Sequence, residues 1–397
     1  MEKTEKTQIL NFSDFLKEYR IKKSGPTEKK SIGWFCTYTP EEIIAASGFK
    51  PVRITGKFKA NKAEGYFPIN YCPYIKSSME EIINESANLS GIIFTNSCDG
   101  MRRFYDVCRK YLKEIPVFML DVPRIKNSLS VEQYRNNIFS AISFLEEIGG
   151  EKISESRLKY AIDQVIKKRF LLKKLNNYFK KYQKIIGVKN YFNIAGMAVT
   201  TGTEVFNEML EKYLNTVVSE FINLSNGFGN EGSNIARILI SGNFLDEKKL
   251  WDIFEDMDCI IAAEDMCNTT RYFENISSTD KYINDYIKSG YSGTEYGSVL
   301  TRLVSDIAVR QLFKPQCLRM ADLDAKLEDI KSRIKKNKID GVVFISQKFC
   351  DNTLLFYPLL RQELQKINKQ SLFLEIEHNN ISTGQIKTRI QAFLEII

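Results

Sequence analysis

Histidine is almost missing from this 397-residue chain: His378 is the only one. That argues against Ser-His-Asp or Cys-His hydrolytic chemistry and against histidine-rich metal sites, each of which needs an imidazole beside its nucleophile or metal. His378 reads simply as a polar residue at a strand end. Eight cysteines are present, yet no Cys-x2-Cys pair occurs among them. Zinc ribbons and the clustered run of a bacterial ferredoxin are thereby excluded, so any metal site must be assembled by tertiary folding. No apolar run approaches the roughly 20 residues of a membrane span, and the opening MEKTEKTQIL lacks the apolar core of a secretory signal, so a cytoplasmic protein is expected. In that compartment the cysteines read as reduced thiols or metal ligands, not as a disulfide framework. There is no Gly-x4-Gly-Lys-Ser/Thr phosphate loop and no low-complexity tract. The net charge of +8 is modest for the length. It favours an anionic ligand such as a nucleotide or coenzyme phosphate without requiring nucleic acid.

What is present is ordinary globular material, 43% hydrophobic and 27% charged, enough for two cores with an insertion between them. Residues 1–30 predict an amphipathic helix, FSDFLKEYRIKK, and a polar loop. Over 31–126 strand and helix candidates alternate: SIGWFCTY, EEIIAAS, PVRIT, SSMEEIINES, GIIFTN, CDGMRRFYDVCRKYL, PVFMLDVP. Thr39, Pro40 and Glu42 predict a helix start, with Thr39 as cap and Glu42 at the capping-box position. From 127 to 233 the strand signal gives way to helical patterns rich in Lys and Arg, whose basic run at 167–184 reads as a solvated face before a phosphate site. Residues 234–397 return to alternation, from ARILISG to a terminal helix after Gln385. The pattern predicts an α/β protein with two doubly wound parallel sheets and a helical insertion.

Cys98 and Cys350 sit in two copies of one arrangement, a buried strand running into a cysteine that opens a helix: GIIFTNS before Cys98-Asp99-Gly100, and GVVFISQKF before Cys350-Asp351-Asn352. Parallel sheets gather strand carboxyl ends on one edge, so two such thiols can face a common crevice. Helix amino termini favour thiolate over thiol. Taken alone, any one of the eight cysteines reads more simply as a small packing residue.

Four stretches, in order, resemble one family: GWFCTYTPEEIIAASGFKPV with FPINYCPYIKSS; GIIFTNSCDGMRRFYD through PVFMLDVPR; ARILISG with AEDMCNTTR; and DGVVFISQKFCDNTLLFYPLL with LEIEHNNISTGQIKTRIQAFLEI. The chain resembles the 2-hydroxyacyl-CoA dehydratase component D family, which also holds benzoyl-CoA reductase and double-cubane cluster proteins. The resemblance implies two Rossmann-like domains sharing a 4Fe-4S cluster held by Cys72, Cys98 and Cys350. Three protein ligands would leave one iron open for Lewis-acid chemistry. Cys36 and Cys267 lie in family-like stretches too, either as replacements for Cys72 or as pocket lining, with packing an equal reading; Cys108, Cys259 and Cys317 read as core. Double-cubane relatives carry a further cysteine-rich loop, whereas SGYSGTEYGSVL here has none, which favours a single cluster.

The resemblance also implies elimination of water from a (R)-2-hydroxyacyl-CoA through a ketyl radical, with a paired subunit and an ATP-dependent iron-sulfur activator supplying the first electron. The alternatives are an ATP-dependent acyl-CoA or small-molecule reductase subunit, or a non-catalytic cluster-binding partner. Glu42 matches a recurrent family glutamate and is the candidate proton carrier, against the simpler reading of capping alone. Ser77 and Ser78 read as donors to sulfide or thioester oxygen, or as helix caps; Lys76 and Arg389 as coenzyme-phosphate or salt-bridge residues. Asn379 stands where an aspartate is common in relatives, which leaves Glu377 as the nearer acid.

Overall fold

The computed structural model describes residues 30–215, 235–274 and 298–397. The helix expected over 1–30 and most of the SGYSGTEYGSVL loop lie outside the described residues. The first α/β unit runs β1 (Ser31–Trp34), α1 (Glu41–Ala46), β2 (Lys50–Arg53), α2 (Pro73–Glu85), β3 (Leu89–Thr95), α3 (Asp99–Tyr111) and β4 (Val117–Leu120). Its strands are parallel in the order β2-β1-β3-β4. Helices α4 (Ser128–Glu147), α5 (Glu155–Lys181), α6 (Gln183–Ile186), α7 (Val188–Thr200) and α8 (Thr203–Tyr213) follow. The second unit is β5 (Ala236–Gly242), α9 (Lys248–Glu255), β6 (Cys259–Asp265), α10 (Thr270–Phe273), α11 (Val299–Phe313), α12 (Leu323–Asn337), β7 (Gly341–Gln347), α13 (Asp351–Lys366), β8 (Gln370–Ile376) and α14 (Thr383–Leu394). Its order, β6-β5-β7-β8, repeats that of the first.

The physical reasons are local. Strands β6 and β7 are buried at every residue, as expected where helices cover both faces of a parallel sheet. Helices α4, α5 and α12 begin where Asn127, Ser154 and Asp322 accept a backbone N–H three residues on. Helix α5 buries Leu158, Ala161, Ile162, Val165, Leu172 and Leu175 at helical spacing, and Lys168 and Arg169 fall in the same stripe. Only part of the basic run is a solvated face: Lys173, Lys181 and Lys184 are exposed, whereas Lys168 is 1% exposed and pairs with Glu41 at 2.6 Å. No helix among the described residues is long and apolar enough to cross a membrane.

Two ties hold the units together. After α11 the chain lies along the first unit: Arg319 donates to Val122 O at 2.6 Å, Pro123 O at 3.2 Å and Asn96 Oδ1 at 3.2 Å, and Ala321 N donates to Arg124 O at 2.9 Å. At the exit of β8, His378 is buried at the junction, its Nε2 reaching Thr55 O at 2.9 Å and Gly56 O at 3.0 Å, its Nδ1 facing Glu247 Oε1 at 3.2 Å. It is thus a bridge between the units. A Cβ on Gly56 would stand 3.0 Å from His378 Nε2, and φ there is +73°, so only glycine suits the close approach. Next along, Asn379 adopts φ +58° and its amide donates to Gly56 O and Phe58 O, which an aspartate could not do.

Burial pushes His378 down to about 4, against hydrogen bonds to the Thr55 and Gly56 carbonyls, so the fold holds the neutral ring. Between pH 6.5 and about 4 the unfolded chain binds the extra proton and the folded one resists it, so stability falls as pH drops through that window. The effect is on the order of 3 kcal/mol. Thermal unfolding of wild type should fall more steeply over this range than that of His378→Asn, and parallel curves would contradict the assignment.

Candidate functional site

With the strand order 2-1-3-4, the loops after the first and third strands diverge and leave a crevice at the carboxyl edge. Cys98 follows β3 and Cys350 follows β7, the equivalent strand of the other unit. Cys72, Cys98 and Cys350 each occupy the N-cap position, of α2, α3 and α13 respectively, and all three are half-buried. Cys98 Sγ accepts the Met101 N–H at 3.3 Å. Phe349, ahead of Cys350, is held at φ +59°, a strained conformation for a bulky residue, costing on the order of 1–3 kcal/mol. Asn352 Nδ2 reaches Ser97 O at 3.4 Å, so the α13 start of one unit touches the α3 start of the other.

The thiols act on one another. Burial pushes Cys72 up to about 12, and Cys350 and Cys98 push in the same direction. Burial pushes Cys98 up to about 11, helped by Cys350 and Cys36 and opposed by the Met101 N–H. The thiolate preference expected at a helix start is thus overturned: desolvation and mutual repulsion outweigh the helix end. Among the described residues no three His, Cys, Asp or Glu groups close on one point tightly enough to hold a single ion.

Glu42 is not a cap. Helix α1 begins at Glu41 with Pro40 at the N-cap position and no side-chain capping bond, because the chain turns in one residue later than the capping-box pattern requires. Instead Glu42 is 1% exposed, with Oε1 at 3.6 Å from Arg169 Nη2 and 3.9 Å from Arg310 Nη2. Its Oε2, Arg169 Nε and Arg310 Nη1 have no hydrogen-bond partner. Burial pushes the carboxyl up, but the two guanidiniums outweigh it and hold it below the ordinary range, so Glu42 is ionised near neutrality.

Other expectations resolve into packing. Ser77 and Ser78 are buried inside α2, which starts at Pro73, and do not cap it. Lys76 pairs with Glu64 at 2.8 Å, Arg389 donates to Phe373 O at 2.8 Å, and Glu377 pairs with Lys348 at 3.0 Å. Cys108 and Cys259 are buried, as expected. Cys317 packs against the hydrophobic core as expected, half-buried, as are Cys36 and Cys267. Sequence reasoning also missed Arg169, Arg310 and Lys314. Arg169 had a signal, a basic residue in the apolar register of α5. Lys314 is 4% exposed, lies 4.4 Å from the Tyr38 ring centroid and donates to Gln311 Oε1 at 2.9 Å; burial brings it down to about 7.

Arg169→Met should destabilise the protein by about 3 kcal/mol or more, since it strands a buried carboxylate, while Glu42→Gln should cost less because it removes that charge. Urea unfolding at pH 7 measures both. Equal, small effects would show that Glu42 is already neutral. Glu42's contribution should be complete above its unfolded value near 4.5 and be lost as pH falls through its lower folded value.

The profile of the family described as "2-hydroxyglutaryl-CoA dehydratase, D-component" matches residues 36–397. The chain is 25% identical to the (R)-phenyllactyl-CoA dehydratase beta subunit of Clostridium sporogenes, over 96% of this chain and 95% of that one. It is 23% identical to the beta subunit of lactoyl-CoA dehydratase from Anaerotignum propionicum, over 94% and 92%. Against the beta subunit of (R)-2-hydroxyglutaryl-CoA dehydratase from Acidaminococcus fermentans it is 21% identical, over 92% and 92%. A full-length match of this kind, on a fold of two like parallel sheets, is decisive: the chain belongs to the 2-hydroxyglutaryl-CoA dehydratase D-component family.

Proposed function

We propose that this chain is the β-type subunit of a 2-hydroxyacyl-CoA dehydratase, with Cys72, Cys98 and Cys350 holding one 4Fe-4S cluster in the cleft between its two units. The observation that carries the reading is the meeting of three N-cap thiols, two from one unit and one from the other, that feel one another's charge. Helix starts suit an anionic group, because their free N–H groups and dipoles face it. A single ion with metal–sulfur bonds of about 2.3 Å draws its thiolates into close contact.

A cluster with three protein ligands supplies one-electron transfer and an iron able to grip a thioester or hydroxyl oxygen. The chain's own residues do the rest. Cys350 is carried by the second unit, so the site is complete only while the Arg319 and His378 ties hold the units in place. Glu42, ionised and with Oε2 unpartnered, takes the proton lost from the β-carbon, and Arg169 and Arg310 keep it charged between turnovers. The enzyme is completed by a related second polypeptide, and a separate ATP-hydrolysing iron-sulfur activator delivers the starting electron.

The test is anoxic reconstitution with iron and sulfide, followed by absorbance and electron paramagnetic resonance with and without a 2-hydroxyacyl-CoA. Wild type and Cys108→Ser should load about four irons per chain, and Cys98→Ser and Cys350→Ser should lose most of them. Iron retained in both ligand variants would overturn the cluster assignment. A spectrum indifferent to acyl-CoA would favour a silent partner, and a reduced acyl product a reductase. Glu42→Gln should keep its iron and lose 100-fold or more in kcat, the scale of general-base catalysis.

A further inference from the structure

Helix α13 carries two apolar stripes, and the core of its own unit uses one of them. Thr353, Phe356, Leu360 and Leu364 recur at helical spacing and are buried, the last three in the core shared with α12 and the second sheet. The opposite side holds Asp351, Leu354, Leu355, Pro358, Leu359 and Gln362, also at helical spacing and all exposed. Leu354, Leu355 and Leu359 keep 37%, 76% and 42% of their surface in solvent. The outer face of a surface helix is ordinarily polar, and a helix with apolar stripes on two sides is ordinarily covered on two sides. Pro358 points the same way. It has no N–H to give to the Leu354 carbonyl, so an acceptor in the middle of the stripe lacks its helical donor.

Charge decides what covers the stripe. Asp351 opens it, and Arg361 with Gln362 closes it, all three exposed. The lysines beside these ends are already paired, Lys348 with Glu377 at 3.0 Å and Lys366 with Glu363 at 2.6 Å. Laid antiparallel on its own twin, the stripe sets Leu354 against Leu359 and Leu355 against Pro358, and it brings Asp351 of each copy to the end that holds Arg361 of the other. Laid parallel, it would set like charge on like. Self-complementarity of this kind is what a two-fold contact between identical chains requires. The size agrees as well: the exposed leucine and proline surface is on the order of 300 Å² per copy, and a specific contact buries roughly 1,200 Å² in all, a little over half of it apolar. Two such stripes supply that apolar half, with polar ends as the rim.

We propose that the outer face of α13 is an interface between two copies of this chain, paired antiparallel across a two-fold axis. The contact joins like chains, uses no thiol and stands apart from the cluster reading.

Full-length protein, as isolated, is run by sedimentation velocity between about 1 and about 200 µM. Wild type should pass from monomer to dimer over this range. Leu355→Glu should weaken the dimer by about ten-fold or more, and because the side chain is exposed in the monomer, the variant should melt with wild type. Phe170→Glu, at a side chain 65% exposed on α5, should dimerise as wild type does. Asp351→Arg and Arg361→Asp should each weaken the dimer, and the double variant should restore it, a rescue that neither misfolding nor general stickiness gives. Wild type that stays monomeric at every concentration would leave the face to a different partner and overturn the proposal. So would a dimer that Leu355→Glu leaves intact, or a double variant no better than its singles. Association is read without reference to iron, so failure of the cluster reading leaves this test unchanged.

Discussion

Every strand of both sheets runs parallel to its neighbours, and the rest of the structure depends on that constraint. A parallel sheet cannot be closed by hairpins, so each strand must exit at the carboxyl edge into a helix. The same strand order twice over places the exits of β3 and β7 at equivalent positions, each beside its own switch point. Cysteines at those exits become helix caps. Where the units meet, the α13 start reaches the α3 start through Asn352 and Ser97, and Cys72 opens α2.

Polar ties add to the shared apolar core in fixing how the units pack. Arg319 reaches three acceptors on the first unit, and His378 and Asn379 reach back to the loop at Gly56. Arg319 and His378 are buried and Asn379 is half-buried, and a buried donor left unpaired is costly, so the arrangement tolerates little sliding. The interior holds further charges on the same principle. Lys168 pairs with Glu41, and Lys326, fully buried, pairs with Asp265 at 2.7 Å. Glu42 is the exception, clamped through one oxygen by two arginines while the other oxygen is free. Its neighbour Glu41 has both oxygens in use, one on Lys168 and one on the Tyr272 hydroxyl.

Much of this was legible in the chain. The alternation of short buried runs with helical periods announced parallel α/β units, and the twin strand-to-cysteine junctions pointed to a shared crevice. The capping box at Thr39 and Glu42 was a false signal, because one residue of shift in the turn moves a side chain from the helix end to the interior. The basic run in α5 was legible in part: Lys173 and Lys181 are exposed, as a solvated face requires, whereas Lys168 and Arg169 lie in the apolar register and are buried.

What the sequence by itself determined is local: which residues form strands, where helices start, and that Cys98 and Cys350 stand at strand exits. Those properties follow from side-chain periodicity and backbone geometry, which act over a few residues. Tertiary structure alone decided which charges meet, because partners such as Glu42 and Arg310, or Lys168 and Glu41, are brought together by packing. Desolvation then reversed even the local expectation at Cys72 and Cys98, since its magnitude depends on how much of the fold surrounds a group and not on the residues beside it in the chain.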